Sequence, residues 1–343
     1  MPRLRATAAA AVAAALPLLP AGVSAWGTLG HETVAFIAQN FVTAETATWA
    51  QGILDASSSS YLASVATWAD SYRYTDEGAF SAEYHYIDAN DSPPDSCGVE
   101  LERDCPDSGC IVSAIANYVA ISLQTSRVQS SSVSSTEKQK ALKWIIHFLG
   151  DIHQPLHDEA LEVGGNGIDV TYDGESTNLH HIWDSNMAEQ LIGGYALSDA
   201  KSWATTLTTA IQSGAYASEA AGWLDGMDVD DAEASALVWA QDTNKYVCSV
   251  VLPDGVSAVE SGDLSGTYYD DSIDTIKLQV AKAGYRLAAW LDLIATGETG
   301  LAKLKRDVSV KREDYVFPPE GWARRDNSAE RQKHKRHAIG CSC

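Results

Sequence analysis

The sequence predicts a mainly α-helical protein built as one multi-helix domain, and three observations carry that expectation. Apolar residues recur at helical spacing in segment after segment, whereas one short stretch alone has extended character. The body from Trp26 to Leu301 contains no internal repeat. Its 276 residues are enough to bury a substantial core as one domain.

The elements follow in chain order. Thr28 to Phe41 carries Leu29, Val34, Phe36, Ile37 and Phe41 at helical spacing. Thr136-x-x-Gln139 reads as a capping-box-like start for a helix bearing Leu142, Ile145, Ile146 and Leu149, with Pro155 marking its end. Gly164-Gly165-Asn166-Gly167 precedes Ile168 to Tyr172, the one candidate for a short strand or extended segment. Asn178 to Ile192, Asp199 to Ser213, Asp230 to Leu252 and Ser272 to Thr296 complete the helical set.

The two ends differ from the body. Arg3 and Arg5, the short apolar run Ala8 to Leu19 and the small residues Val23-Ser24-Ala25 predict a secretory signal over residues 1–25, so that the processed chain begins at Trp26. The apolar run is too short to span a bilayer, and no membrane association is expected. Residues 302–343 hold eleven Lys or Arg against six acids, with four dibasic pairs from Lys305-Arg306 to Lys335-Arg336. Two readings stand for this segment, a basic tail and a pro-segment removed at the dibasic sites.

Six cysteines in a chain with a secretory leader read as disulfide formers, since none lies in a C-x-x-C pair. Four of them, Cys97, Cys105, Cys110 and Cys248, fall in the body and permit three pairings, while Cys341 and Cys343 lie in the tail. The whole chain carries −22, and removing the leader's +2 and the tail's +5 leaves the body at −29. Such a body is a poor candidate for gripping duplex nucleic acid through a basic face. Any attraction for phosphate must be local, and metal ions are the obvious source.

The histidines point to such a source. Seven of the nine lie in the body, and they fall into a pattern. His147 and Asp151 stand four residues apart, one turn along the same helical face, and His180 and Asp184 repeat the spacing. His157 follows just past Pro155, where the chain can fold back toward Asp151. A single His–Asp pair of this kind is ordinarily a hydrogen bond or ion pair. Two pairs, together with His157 and the Trp26-x-x-x-x-His31 start, favour a metal reading. Imidazole nitrogen and carboxylate oxygen are natural zinc ligands where no thiolate is present.

The segments Trp26-Gly27-Thr28-Leu29-Gly30-His31, Trp68-Ala69-Asp70, Tyr84-His85-Tyr86-Ile87-Asp88, His147-Phe148-Leu149-Gly150-Asp151 with its continuation to His157, and Asn178-Leu179-His180-His181-Ile182-Trp183-Asp184 resemble the single-strand-specific zinc nucleases of fungi. The resemblance runs from Trp26 to about Leu301, in order. It implies a mostly helical fold shared with bacterial zinc phospholipases C, and three zinc ions in one cleft. One ion would be held by Asp70, His85, His147 and Asp151, and a second by His157, His180 and Asp184. The third would be held by the α-amino nitrogen and carbonyl oxygen of Trp26, by His31 and by Asp151 as a bridge. The resemblance also implies the disulfides Cys97–Cys248 and Cys105–Cys110.

What such a centre does follows from its charge. Two zinc ions sharing a water lower its pKa toward neutrality, and a third stabilises the leaving oxygen and the phosphoryl charge. Asp70 and Asp151 are then catalytic as well as ligating. Arg73, one turn after Asp70, resembles the family's arginine that steadies the transition-state phosphate. Tyr86 and Asp88 resemble the aromatic and acid that hold a nucleobase, a role that suits single strands because every base offers a face to stack on. The implied activity is endonucleolytic cleavage of single-stranded DNA and RNA to 5′-phosphate products, with action on 3′-mononucleotides, by a secreted monomer. A phospholipase C is the nearest rival, but those enzymes carry His-x-x-x-Glu where this chain has His180 and Asp184. A non-catalytic zinc protein would close its sites with protein ligands, whereas two of the implied sites have three protein residues each. His153 and His181 lie off the ligand faces and read as hydrogen-bonding or core residues. Asn90-Asp91-Ser92 is a glycosylation sequon, weakened by Pro93 directly after it.

Overall fold

A computed structural model describes residues 26–116 and 133–301; the predicted leader, the basic tail, Cys341 and Cys343 lie outside the described residues. The described chain is mainly helical, as expected. Helix α1 (Thr28–Phe41) turns Leu29, Val34, Phe36 and Ile37 inward and packs against the last helix. Helix α2 (Ala44–Leu54) follows after two extended residues, Val42 and Thr43, with the Thr43 side chain accepting from the Thr46 N–H, an N-cap. The five-residue α3 (Trp68–Tyr72) carries Asp70. Helix α4 (Ser135–Asp151) carries His147 and Asp151 and buries Leu142, Ile145, Ile146 and Leu149. Each of these aliphatic side chains contributes about 1.5–3 kcal/mol by leaving water.

The start of α4 corrects the sequence reading. Ser134, not Thr136, is the N-cap, and its hydroxyl accepts from the Glu137 N–H. Gln139, assigned to the cap from sequence, instead donates to the Leu54 carbonyl at 3.0 Å and ties α4 to the end of α2. The helix ends near Pro155 as expected: a 3-10 turn, Pro155–Asp158, takes over after Gln154.

The extended candidate is the first strand of an antiparallel hairpin, β1 (Asp169–Tyr172) with β2 (Glu175–Asn178), in register Asp169 to Asn178. Asn178 caps the next helical segment by accepting from the His181 N–H. That segment reaches Ile192 but is not uniform, because Ile182–Asn186 forms a π-helical turn. Such turns are frequent at functional sites, and this one contains Asp184. Helices α5 (Leu197–Ser213), α6 (Ala232–Tyr246) and α7 (Thr267–Thr296) follow, α6 passing into a second π turn at Val247–Val251. The long α7 packs against α1, α2 and α4 and buries both Trp290 and Leu291. Cys97 pairs with Cys248 and Cys105 with Cys110, the pairings the resemblance implied.

Behind α4 lies a buried polar cluster. Arg286 of α7 donates to the Trp223 carbonyl and to Asp242, and Lys282 donates to the same carboxylate at 2.8 Å. His153 closes this cluster, with Nδ1 on the Leu149 carbonyl and Nε2 facing Arg286 at 2.9 Å. It is therefore a core histidine facing away from the carboxylates Asp70, Asp151 and Asp184. His181 is half-buried rather than in the core.

Candidate metal centre

Five predicted ligands meet in one buried group. Asp151 divides its oxygens: Oδ1 lies 3.1 Å from His31 Nε2, while Oδ2 lies 2.9 Å from His85 Nδ1 and 3.3 Å from His147 Nε2. Asp70 Oδ1 approaches His147 Nε2 at 3.4 Å. The His31 and His147 rings stack at 3.9 Å. That stack needs Gly150, because a β-carbon there would sit 2.7 Å from His31 Nδ1. Two triads within this group, His31–Asp70–His147 and His85–His147–Asp151, have the proximity a metal ion requires.

His157, His180 and Asp184 form a second group, with His180 Nε2 3.1 Å from both His157 Nε2 and Asp184 Oδ2. The tautomers here are set by the backbone. His157 Nδ1 donates to the His85 carbonyl and His180 Nδ1 to the Gly164 carbonyl, each at 2.7 Å, and a carbonyl can only accept. Both Nε2 atoms in their neutral form thus turn lone pairs toward the same carboxylate. His147 is fixed in the same way by the Ala66 carbonyl at 2.6 Å. Convergent lone pairs and carboxylate oxygens fit a divalent cation. Consistently, both Asp70 oxygens, both His31 nitrogens and Asp151 Oδ1 are buried without a hydrogen-bond partner.

The N-terminal end of the domain joins the two groups. Trp26 is fully buried, and the Gly27 N–H donates to the Asp184 carbonyl at 2.7 Å. A β-carbon at Gly27 would collide with Ser185 Oγ, so a larger residue there would force the Ser185 hydroxyl to turn away. The segment after the 3-10 turn Ala79–His85 is extended and alternates: His85, Ile87 and Ala89 are buried, while Tyr86 is half-buried and Asp88 and Asn90 are exposed. Period-two alternation therefore puts Tyr86 and Asp88 together on the outer side. The Ile87 N–H bonds to the His157 carbonyl at 2.9 Å, locking this segment to the second group. Arg73 Nη2 lies 3.9 Å from Asp70 Oδ1 at the edge of the first group.

The electrostatics show what such packing costs without a cation. Burial opposes charge on His147, but the carboxylates of Asp151 and Asp70 prevail and lift it to about 10. His85, burdened by burial beyond the help of Asp151, falls to about 4. Burial would raise Asp70, yet His147 and His31 hold it at about 2. In the second group burial and His180 depress His157, whereas Asp184 overcomes burial and raises His180. In the first group His147 is thus driven toward its charged form and His85 toward its neutral one, and in the second group His180 and His157 are pushed in the same opposite directions.

Comparison with known proteins decides the family. The S1/P1 nuclease family model matches residues 26–296. The chain belongs to the S1/P1 nuclease family. It is 56% identical over 296 residues to nuclease S1 of Aspergillus oryzae, covering 86% of this chain and 99% of that one. It is 55% identical over 273 residues to nuclease P1 of Penicillium citrinum, covering 80% and 99%. Endonuclease 2 of Arabidopsis thaliana is 31% identical over 288 residues, covering 79% and 91%. Membership places the chain among hydrolytic nucleases. Among the described residues no helix is long and apolar enough to cross a membrane.

Three residues at the site escaped the sequence reading. Gln154 donates through Nε2 to Asp184 Oδ1 and accepts the Leu156 N–H through Oε1, each at 2.6 Å, so it holds Asp184 with Oδ2 toward the histidines. Val163 sits beside the Gly164 carbonyl that fixes His180, exposed and at φ 59°, a strained backbone for a β-branched residue. Tyr74 lies exposed beside Arg73. Only the Gly164-Gly165 run hinted at an unusual turn. A fourth grouping, Asp91, Cys97 and Glu159, includes a sulfur already in a disulfide and is no metal site.

Proposed function

We propose that the chain is a secreted zinc-dependent endonuclease that hydrolyses single-stranded DNA and RNA to 5′-phosphate products and also acts on 3′-mononucleotides. The observation that carries this reading is the pair of buried His–Asp groups joined by the Gly27–Asp184 bond, within a chain that matches its nuclease relatives along most of its length. In this reading processing after Ala25 frees the Trp26 amine, which joins His31 and Asp151 at one ion. Asp70, His85, His147 and Asp151 hold a second ion, and His157, His180 and Asp184 a third. Asn90, exposed in the structure, is the proposed glycan acceptor.

Zinc bound there supplies a water of lowered pKa and positive charge for the phosphate and the departing 3′ oxygen. The chain's own groups do the rest. Asp151 divides its oxygens between His31 and the His85–His147 pair, which suits it to a bridging role. Asp70 adds its carboxylate, and Arg73 beside it offers a fixed positive charge to a phosphate oxygen. Tyr86 and Asp88, on one outer side of their segment, take the nucleobase by stacking and by accepting a hydrogen bond. A base in a duplex must unstack before it can be bound this way, which is the physical source of single-strand preference.

The test is to incubate the purified secreted protein, with and without chelator, with single-stranded DNA, the matching duplex, RNA and a phosphatidylcholine emulsion. Chelator-sensitive release of 5′-phosphorylated products from the single strands is expected. Cleavage of lipid without release of nucleotides would overturn the proposal.

A further inference from the structure

We infer that Tyr74 is a second stacking shelf for a nucleobase of the substrate strand, placed on the Asp70 side of the metal groups and distinct from Tyr86. The inference rests on the nuclease reading above and adds to it a binding position for longer single strands.

Tyr74 lies four residues after Asp70, just past the end of α3, and its N–H reaches the Ser71 carbonyl at 3.3 Å. That bond spans three residues, a 3-10 turn, so the tie between Tyr74 and Asp70 is made through Arg73 and not by helical spacing. The Arg73 guanidinium links the two, 3.9 Å from the Asp70 carboxylate and 5.2 Å from the centre of the Tyr74 ring. One face of the ring is thereby covered by a cation. The side chain is nevertheless 68% exposed, so the other face is available.

An isolated exposed tyrosine is ordinary. This one differs in that a charged group tied to the cleft already fixes its orientation. Phe80, also exposed, instead spends its ring on edge contacts with Tyr84 and Trp144. A phosphate drawn to Arg73 brings the attached nucleoside alongside Tyr74, and a base on the open face completes a guanidinium–tyrosine–base stack. Arginine over an aromatic ring adds cation–π attraction to such a platform. Stacking of this kind tolerates any base and requires an unpaired one. A 3′-mononucleotide carries a single base and, with that base at Tyr86, leaves none for Tyr74.

The experiment compares the fully processed metal-loaded protein with Tyr74→Ala, Tyr74→Phe and Tyr74→Trp, all checked for unchanged thermal midpoint. Steady-state kinetics are measured on a single-stranded pentanucleotide, on the same pentanucleotide carrying single abasic positions, and on a 3′-mononucleotide. The expected result is a KM for the pentanucleotide raised about tenfold in Tyr74→Ala and near wild type in the Phe and Trp variants. One abasic position should raise the wild-type KM by a similar factor and leave Tyr74→Ala unaffected. An unchanged KM in Tyr74→Ala overturns the inference. So does an equal rise for the 3′-mononucleotide, which would mean that the ring serves only to hold Arg73. If the wild type cleaves none of these, the nuclease reading has failed, and fluorescence anisotropy with the same labelled pentanucleotides decides the stacking role directly. Equal affinity of wild type and Tyr74→Ala then overturns it.

Discussion

Replacing Gln154 with leucine keeps the volume of the side chain and removes two buried hydrogen bonds. Both are 2.6 Å long, one to Asp184 Oδ1 and one from the Leu156 N–H, and Gln154 is fully buried. No water can replace them at once, so each partner is left unsatisfied. An orphaned N–H costs about 1–3 kcal/mol, and a hydrogen bond to a charged carboxylate is worth about 1.5–3 kcal/mol. The two share one side chain and will not add fully, so a loss of about 3 kcal/mol in stability is expected for the metal-free protein. The second effect is specific to the metal centre. Released from Gln154, Asp184 turns, and affinity at the His157–His180–Asp184 group should fall by about 10–100-fold, as for other partners of metal ligands. Gln154→Glu separates the two effects, since it keeps an acceptor for Leu156 and sets a carboxylate against Asp184. The assays are urea unfolding of the metal-free form and competition for zinc with a chromophoric chelator. A Gln154→Leu protein that loses stability yet holds all its metal as tightly as wild type would refute the positioning role.

Adding a single residue before Trp26 converts the amine to an amide and should greatly reduce activity while leaving the circular dichroism spectrum unchanged; equal activity in the extended form would remove Trp26 from the ligand set. His147, lifted to about 10, holds a proton in the metal-free protein at pH 7.5, so zinc uptake should release at least that proton, read by titration in weak buffer with an indicator. Acidification should correspondingly strip the metal. Asp242 is held well below the usual carboxylate range: burial opposes its charge, but Arg286 and Lys282 more than compensate. Its folded pKa being the lower one, the stability it contributes is full above the unfolded value and lost as pH falls through the folded one. Asp242→Asn should therefore cost about 3 kcal/mol at pH 7 and flatten the acid limb of the stability profile, because Arg286 is left buried without its anion.

Much of the candidate site was legible in the sequence because its proposed ligands obey local geometry. His147 and Asp151 lie one turn apart on α4, and His180 with Asp184 repeats the spacing even though a π turn intervenes. Tyr86 and Asp88 were singled out by the family resemblance alone, and the structure adds that they share the outer side of an extended segment. What escaped was tertiary. Nothing in the neighbourhood of Gln154 reveals that its amide reaches Asp184, thirty residues on. The start of α4 was misplaced by two residues because Thr136-x-x-Gln139 and Ser134-x-x-Glu137 are both cap-like, and packing chose by sending Gln139 to Leu54. Helices α2 and α3 were missed for a different reason: α2 has only three buried positions and α3 five residues, too little for a periodic signal.

Zinc counted per chain in the active secreted protein, with its N-terminal residue identified in the same preparation, tests the central claim most directly. Three zinc ions per chain and a free Trp26 amine are predicted, with one zinc and most activity lost together when that amine is blocked. Full activity with fewer than three ions, or with Trp26 still joined to a preceding residue, would contradict the account.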